Sequence, residues 1–130
     1  MNRSKDRLNQ AESFLLDAKE LHKKGSYYLV CFLSQQTAEF SLKALCEYLN
    51  IICWGHELLN ILTILENKGN IQFPNKIKTA CYVLNKYYIS TRYPDAFSSG
   101  TPANLFSEFE SEQAINFAEE VFKFVKSKIY

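Results

Sequence analysis

Apolar residues in this chain recur at intervals of three and four, the period of a helix with one buried face, over most of its length. From about Asn2 to Lys24 the stripe is Leu8, Ala11, Leu15 and Ala18, widened by Phe14 and Leu21. Gly25 is placed to stop that helix, with His22, Lys23 and Lys24 set favourably against the negative end of its dipole. Ser26 fits the cap of a second helix reaching about Asn50, whose inward line reads Tyr28, Phe32, Gln35, Ala38, Leu42, Leu45 and Leu49. A short loop around Cys53, Trp54 and Gly55 leads to a third helix from about His56 to Asn67, with Leu58, Ile61, Leu62 and Leu65 inward and Gly69 as its stop. Pro74 opens a fourth, carrying Ile77, Ala80, Cys81, Leu84 and Tyr88, and Pro94 enforces its end. Residues 95–106 read as a loop rich in serine, glycine and proline. Ser107 and Glu110 have capping-box spacing for a last helix, Ser111 fits the cap equally well, and Ile115, Ala118, Phe122, Val125 and Ile129 form its seam.

No strand-like alternation, repeat or second domain interrupts this pattern. It predicts an all-α fold: one domain over residues 1–130, built as an up-and-down bundle of about five helices. Composition agrees, with 47 % apolar and 22 % charged residues and only four glycines and three prolines to break helices. A formal charge of +1 argues against holding long nucleic acid by bulk electrostatics, although Arg3, Lys5, Arg7, Lys123, Lys126 and Lys128 gather near the two ends. No apolar h-region and no apolar run of about 18 residues occurs, so neither secretion nor membrane spanning is expected, and the cytoplasm is the expected compartment. Cys31, Cys46, Cys53 and Cys81 form no CxxC pair, which favours buried reduced thiols over a metal centre. An aromatic share of 15 % leaves more bulky side chains than a small bundle easily hides, so a homodimer is expected.

Candidate chemistry concentrates in Tyr87-Tyr88-Ile89-Ser90-Thr91-Arg92-Tyr93-Pro94-Asp95. Arg92 is one of three arginines, the others being Arg3 and Arg7. Its guanidinium could bind a phosphate bidentately while neighbouring rings stack on a base. Tyr87, Tyr88 and Tyr93 could each stack on a nucleobase, although Tyr88 lies on the inward line and Tyr93, which follows the helix, is the better candidate. Thr91 and Asp95 flank the arginine, either limiting how it points or capping and turning the chain. Gln35 and Glu39 lie one helical turn apart near the buried face. They suit either a polar pair at the core edge or a pair orienting Arg92 or a ligand. A buried carboxylate needs a partner, and arginine is the natural one. His22 and His56 fall at helix ends, where structural roles are commonplace. No nucleophile elbow, phosphate-binding glycine loop or metal motif is found, so no cofactor is expected.

Five stretches, in order, resemble the HEPN family of small helical bundles: the opening amphipathic helix, Gly25-Ser26-Tyr27-Tyr28, Gln35 to Leu45, His56-Glu57-Leu58-Leu59, and the Tyr87–Asp95 segment, the most specific of them. The likeness covers nearly the whole chain. It implies a prokaryotic homodimer that binds a nucleotide or RNA and is often paired with a minimal nucleotidyltransferase, in many cases as toxin and antitoxin. Toxic members are metal-independent RNases with an arginine followed, after four to six residues, by a histidine. Here no histidine follows Arg92. The resemblance therefore implies a nucleotide- or partner-binding module at Arg92, Tyr93, Asp95, Thr91, Tyr87, Glu39 and Gln35, with no catalytic residue assigned. The alternatives are an RNase in which Arg92 works with an unconventional base, Asp95 or a histidine from elsewhere such as His56, and a purely structural dimerising bundle.

Overall fold

The structure, a computed structural model, describes residues 2–130, leaving aside the Pro94 side chain. Its helices are α1 (Ser4–Lys23), α2 (Tyr27–Tyr48), α3 (Leu58–Gly69), α4 (Asn75–Leu84), the single-turn α5 (Tyr87–Ser90) and α6 (Glu108–Ile129). No strand occurs among the described residues, and the all-α bundle stands as the periodicity predicts.

Helix α2 is the central element, packed against α1, α3, α4, α5 and α6. Its buried surface is broader than one stripe. Val30, Cys31, Ser34, Thr37, Ser41, Ala44 and Cys46 are buried along with the expected Gln35, Ala38, Leu42 and Leu45. Small side chains let neighbouring helices approach α2 from several sides, whereas Tyr28, Phe32 and Leu49, near its ends, are only half-buried. Helix α1 runs antiparallel to α2, with Phe14 edge-on to Phe40 and Arg7 bound to Glu47. It is also antiparallel to α6, where Lys19 meets Glu119 and His22 meets Ser111.

Local chemistry explains the helix ends. The amides of Gly25 and Ser26 donate to the carbonyls of His22 and Leu21, a Schellman stop that needs the positive φ of Gly25. Ser26 stands at the cap position of α2 but makes no side-chain cap bond. Gly69 is the last residue of α3 rather than its left-handed stop. Asn70 takes that conformation at φ 53°, and a Cβ at Gly69 would lie 3.1 Å from the Leu49 side chain. Glycine serves close packing there. At the start of α6, Ser107 and Glu110 form a complete capping box, while Ser111 is buried and bonds His22.

The predicted fourth helix is interrupted at Asn85 and Lys86. The Asn85 Oδ1 accepts from the Leu58 amide at 2.7 Å and its Nδ2 donates to Glu57 at 3.1 Å, so this side chain satisfies an orphan amide at the start of α3. The chain therefore turns before α5, and the α-helix ends at Ser90, ahead of Pro94. The buried line continues from Leu84 at a spacing of three to Tyr87 and then to Thr91, so that Tyr87 lies in the core and Tyr88, at a spacing of four, is only half-buried. Residues 95–106 are not featureless. They overlap two 3₁₀ turns, Pro94–Ala96 and Pro102–Asn104, and Phe106 packs edge-on against both Tyr87 and Phe97.

The cations near the two chain ends are shared with carboxylates and rings. Arg3 pairs with Asp6, Arg7 with Glu47 and Lys123 with Glu119, while Lys5 lies over the Tyr130 ring. Among the described residues no helix is long and apolar enough to cross a membrane.

Candidate functional site

Between residues 50 and 57 the chain runs back along α2, from the Cys46 carbonyl that receives the Ile51 amide to the level of Gln35. This return brings His56 over the polar part of α2. Glu39, only 2 % exposed, is the hub. Its Oε1 accepts from Gln35 Nε2 at 3.1 Å and Gln36 Nε2 at 3.4 Å, and its Oε2 accepts from Lys43 Nζ at 3.0 Å. The His56 Nδ1 lies 3.1 Å from both oxygens. A carboxylate only accepts hydrogen bonds, so this contact assigns the proton to Nδ1 and leaves Nε2 free in the neutral ring. The His56 side chain is 50 % exposed.

On its outer side His56 stacks on Tyr88, ring centroids 4.1 Å apart and planes inclined by 15°. Arg92, one helical turn beyond Tyr88, donates its Nε to the Tyr88 carbonyl at 2.7 Å. Its guanidinium carbon lies 4.0 Å from the Tyr88 centroid, 5.1 Å from Tyr93 and 5.3 Å from Phe32. Three rings therefore fix the guanidinium while its terminal nitrogens have no carboxylate partner among the described residues. Glu39, His56, Tyr88 and Arg92 form a continuous line from the buried face of α2 to the surface.

The sequence points Glu39 towards an arginine, but it pairs instead with Lys43 and His56. Arg92 reaches α2 at Phe32, two turns or about 10 Å along the helix from Glu39, too far for a direct bond. Gln35 is fully buried and helps hold the hub. Tyr93 and Asp95 are exposed beside the guanidinium in the chain, and only Tyr93 has its ring near it. Thr91 is buried and bonds back to the Tyr87 carbonyl, so it positions the turn. Tyr87 is also buried, and burial pushes its hydroxyl pKa up. It presents no free face for stacking, the Tyr88 ring is engaged by His56 and Arg92, and Tyr93 is the exposed ring of the three. Sequence reasoning passes over Lys43 and sets Tyr88 in the core, although Glu39/Lys43 and Tyr88/Arg92 each have i,i+4 spacing. It offers His56 only as a remote option, because no periodicity predicts where a loop crosses a helix.

The HEPN domain family model matches residues 4–128. The fold superposes on TT1696 from Thermus thermophilus with a TM-score of 0.93, at 38 % identity over 98 % of this chain and 99 % of that one. ST0689, an archaeal HEPN homologue, matches with a TM-score of 0.84 and 33 % identity over the full length of both chains. A HEPN domain protein from Thermotoga maritima (tm0613) gives 0.77 and 27 %, covering 95 % and 97 %. No curated protein matches significantly. With the family model spanning nearly the whole chain and two solved structures above 30 % identity at nearly full coverage, the protein belongs to the HEPN domain family.

Proposed function

We propose that this protein is a binding module for a nucleotide or an RNA phosphate, that it works as a cytoplasmic homodimer, and that it partners a minimal nucleotidyltransferase in a toxin–antitoxin-like pair. One observation carries the binding site: among the described residues Arg92 is the one arginine without a carboxylate partner, and three aromatic rings hold it in place. An anion can take the open guanidinium nitrogens bidentately, and the exposed Tyr93 ring can stack on a base. The dimer and the protein partner rest on the family likeness and on exposed apolar side chains such as Ile89, Tyr93, Leu105 and Phe109.

Arg92→Lys keeps the charge and loses the planar fork. It is expected to weaken nucleotide binding, measured by calorimetry alone and with the co-purified partner, by about 1.5–3 kcal/mol, with fold and dimer intact. If affinity is the same in wild type, Arg92→Lys and Arg92→Ala, the corner is structural and the binding site lies elsewhere.

The Glu39–His56 pair favours a second reading, a metal-independent RNase. His56 Nε2 would take the proton of a ribose 2′-hydroxyl, Glu39 would stabilise the imidazolium, and Arg92 would hold the phosphate. The binding-module reading predicts no RNA cleavage by the purified protein. Cleavage abolished by both Arg92→Ala and His56→Ala would establish the RNase instead.

A further inference from the structure

The same returning loop places Cys53 beside the end of α2. Cys46, 1 % exposed in the last turns of α2, and half-buried Cys53 line one open groove of about 500 Å³ together with Arg7, Lys43, Trp54 and Gly55. Asn50, at φ 58°, reverses the chain, and the Ile51 amide donates to the Cys46 carbonyl at 2.8 Å, which folds Cys53 back onto Cys46. The two thiols share this groove, and each acts on the titration of the other. We propose that Cys46 and Cys53 are a peroxide-responsive thiol pair that closes reversibly to a disulfide across this groove.

The division of labour follows from the surroundings. Interaction with the Cys46 thiol, then the Lys43 and Arg7 charges, hold the Cys53 pKa below the usual thiol value, while interaction with Cys53 and burial push Cys46 up. Cys53 also has access to solvent through the groove, so it is the attacking sulfur and Cys46 the resolving one. Its thiolate attacks one oxygen of hydrogen peroxide. The O–O bond breaks, Cys53 becomes a sulfenic acid, and the departing hydroxide takes up a proton as water. The Cys46 sulfur then attacks the Cys53 sulfur. An S–S bond forms, the S–O bond breaks, and hydroxide leaves as a second water with the proton lost from Cys46. Two electrons pass from the thiols to the peroxide, and an external dithiol restores the pair by exchange. Cys31 and Cys81 lie in the core, and burial pushes each thiol up to about 12, which leaves both inert.

The test uses the full-length protein, treated with hydrogen peroxide, then unfolded in guanidinium chloride so that all four cysteines are accessible, and alkylated with N-ethylmaleimide. The expected result is loss of two alkylatable thiols out of four, a mass lower by two hydrogen atoms, and a linked Cys46–Cys53 peptide that dithiothreitol separates. Trp54, the only tryptophan, adjoins Cys53, so its fluorescence should fall on oxidation and recover on reduction in wild type but not in Cys53→Ser. In Cys46→Ala, dimedone should trap the sulfenic acid on Cys53. Four alkylatable thiols after peroxide, a link through Cys31 or Cys81, or a wild-type product that stops at Cys53 sulfinic acid would each overturn the proposal. These readouts are independent of nucleotide binding at Arg92.

Discussion

The seam between α1, α2 and α6 and the corner where α5 meets the 50–57 loop are both built on α2, yet they are held by different forces. In the seam, Leu8, Leu45, Val121 and Val125 are almost wholly buried, and the hydrophobic effect secures them without regard to direction. In the corner, a buried carboxylate, a half-exposed imidazole, a stacked phenol and a guanidinium succeed one another, placed by hydrogen bonds and ring contacts that depend on direction. Loss of a seam residue removes many small attractions at once. Loss of an outer corner residue removes a few directional contacts and leaves the bundle standing. Stability and chemistry are therefore largely separable in this protein, and Glu39 is where they join.

The largest expected effect lies in the seam. Leu45→Ala deletes a fully buried side chain and leaves a cavity, which should cost about 2–5 kcal/mol in urea unfolding. Nucleotide affinity of the remaining folded protein should be unchanged at low temperature. A matching loss of affinity would show that seam and corner are mechanically coupled.

Glu39→Gln should breach the separation. It removes the charge that holds Lys43 and His56, with an expected stability loss of about 1.5–3 kcal/mol. His56 then loses its anchor against α2 while retaining Tyr88 as a stacking neighbour. Chemical shifts of the His56 ring protons should move in this variant and remain at wild-type positions in Leu45→Ala. Unaltered shifts in Glu39→Gln would show that Tyr88 alone orients the imidazole.

The same contrast governs how much is legible in the sequence. Seam positions repeat every three or four residues, so Leu8, Ala11, Leu15 and Ala18 can be assigned to a buried stripe and are buried. The capping box at Ser107 is likewise local. The corner is non-local. Seventeen residues separate Glu39 from His56, and a loop rather than a helix brings them together. Periodicity leaves Tyr87 and Tyr88 open, since spacings of three and of four from Leu84 both suit a helix, and the structure takes the three and buries Tyr87. Arg92 is identifiable by its scarcity and its aromatic neighbours, but its lack of a carboxylate partner is visible only in three dimensions.

A smaller effect is expected at the entrance to α6, beside the loop that follows the corner. Ser107→Ala removes one half of the capping box and should cost about 1 kcal/mol. Hydrogen exchange should quicken at the Glu110 amide, which donates to the Ser107 hydroxyl, and remain slow at Val121 in the seam. Faster exchange along the whole of α6 would mean that the helix opens as one unit.

The smallest effect concerns the outer rim of the seam, where Lys19 and Lys123 reach Glu119 at 2.6 and 3.1 Å. The Lys19 hydrogen bond first, then that from Lys123, holds the Glu119 carboxyl below its ordinary pKa of 4.5. Because the folded value is depressed, the stabilisation is fully present above the unfolded pKa and disappears as pH falls through the folded one. The Lys19 and Lys123 side chains are 42 % and 72 % exposed, so solvent and salt screen the pair and its worth is at most about 1 kcal/mol. Glu119→Gln should therefore unfold at slightly lower urea than wild type at pH 7, and the gap should narrow in high salt. In strong acid, where both side chains are neutral, the two proteins should unfold together. A gap that persists there would mean that the difference between the two proteins comes from the introduced amide and not from the charge of Glu119.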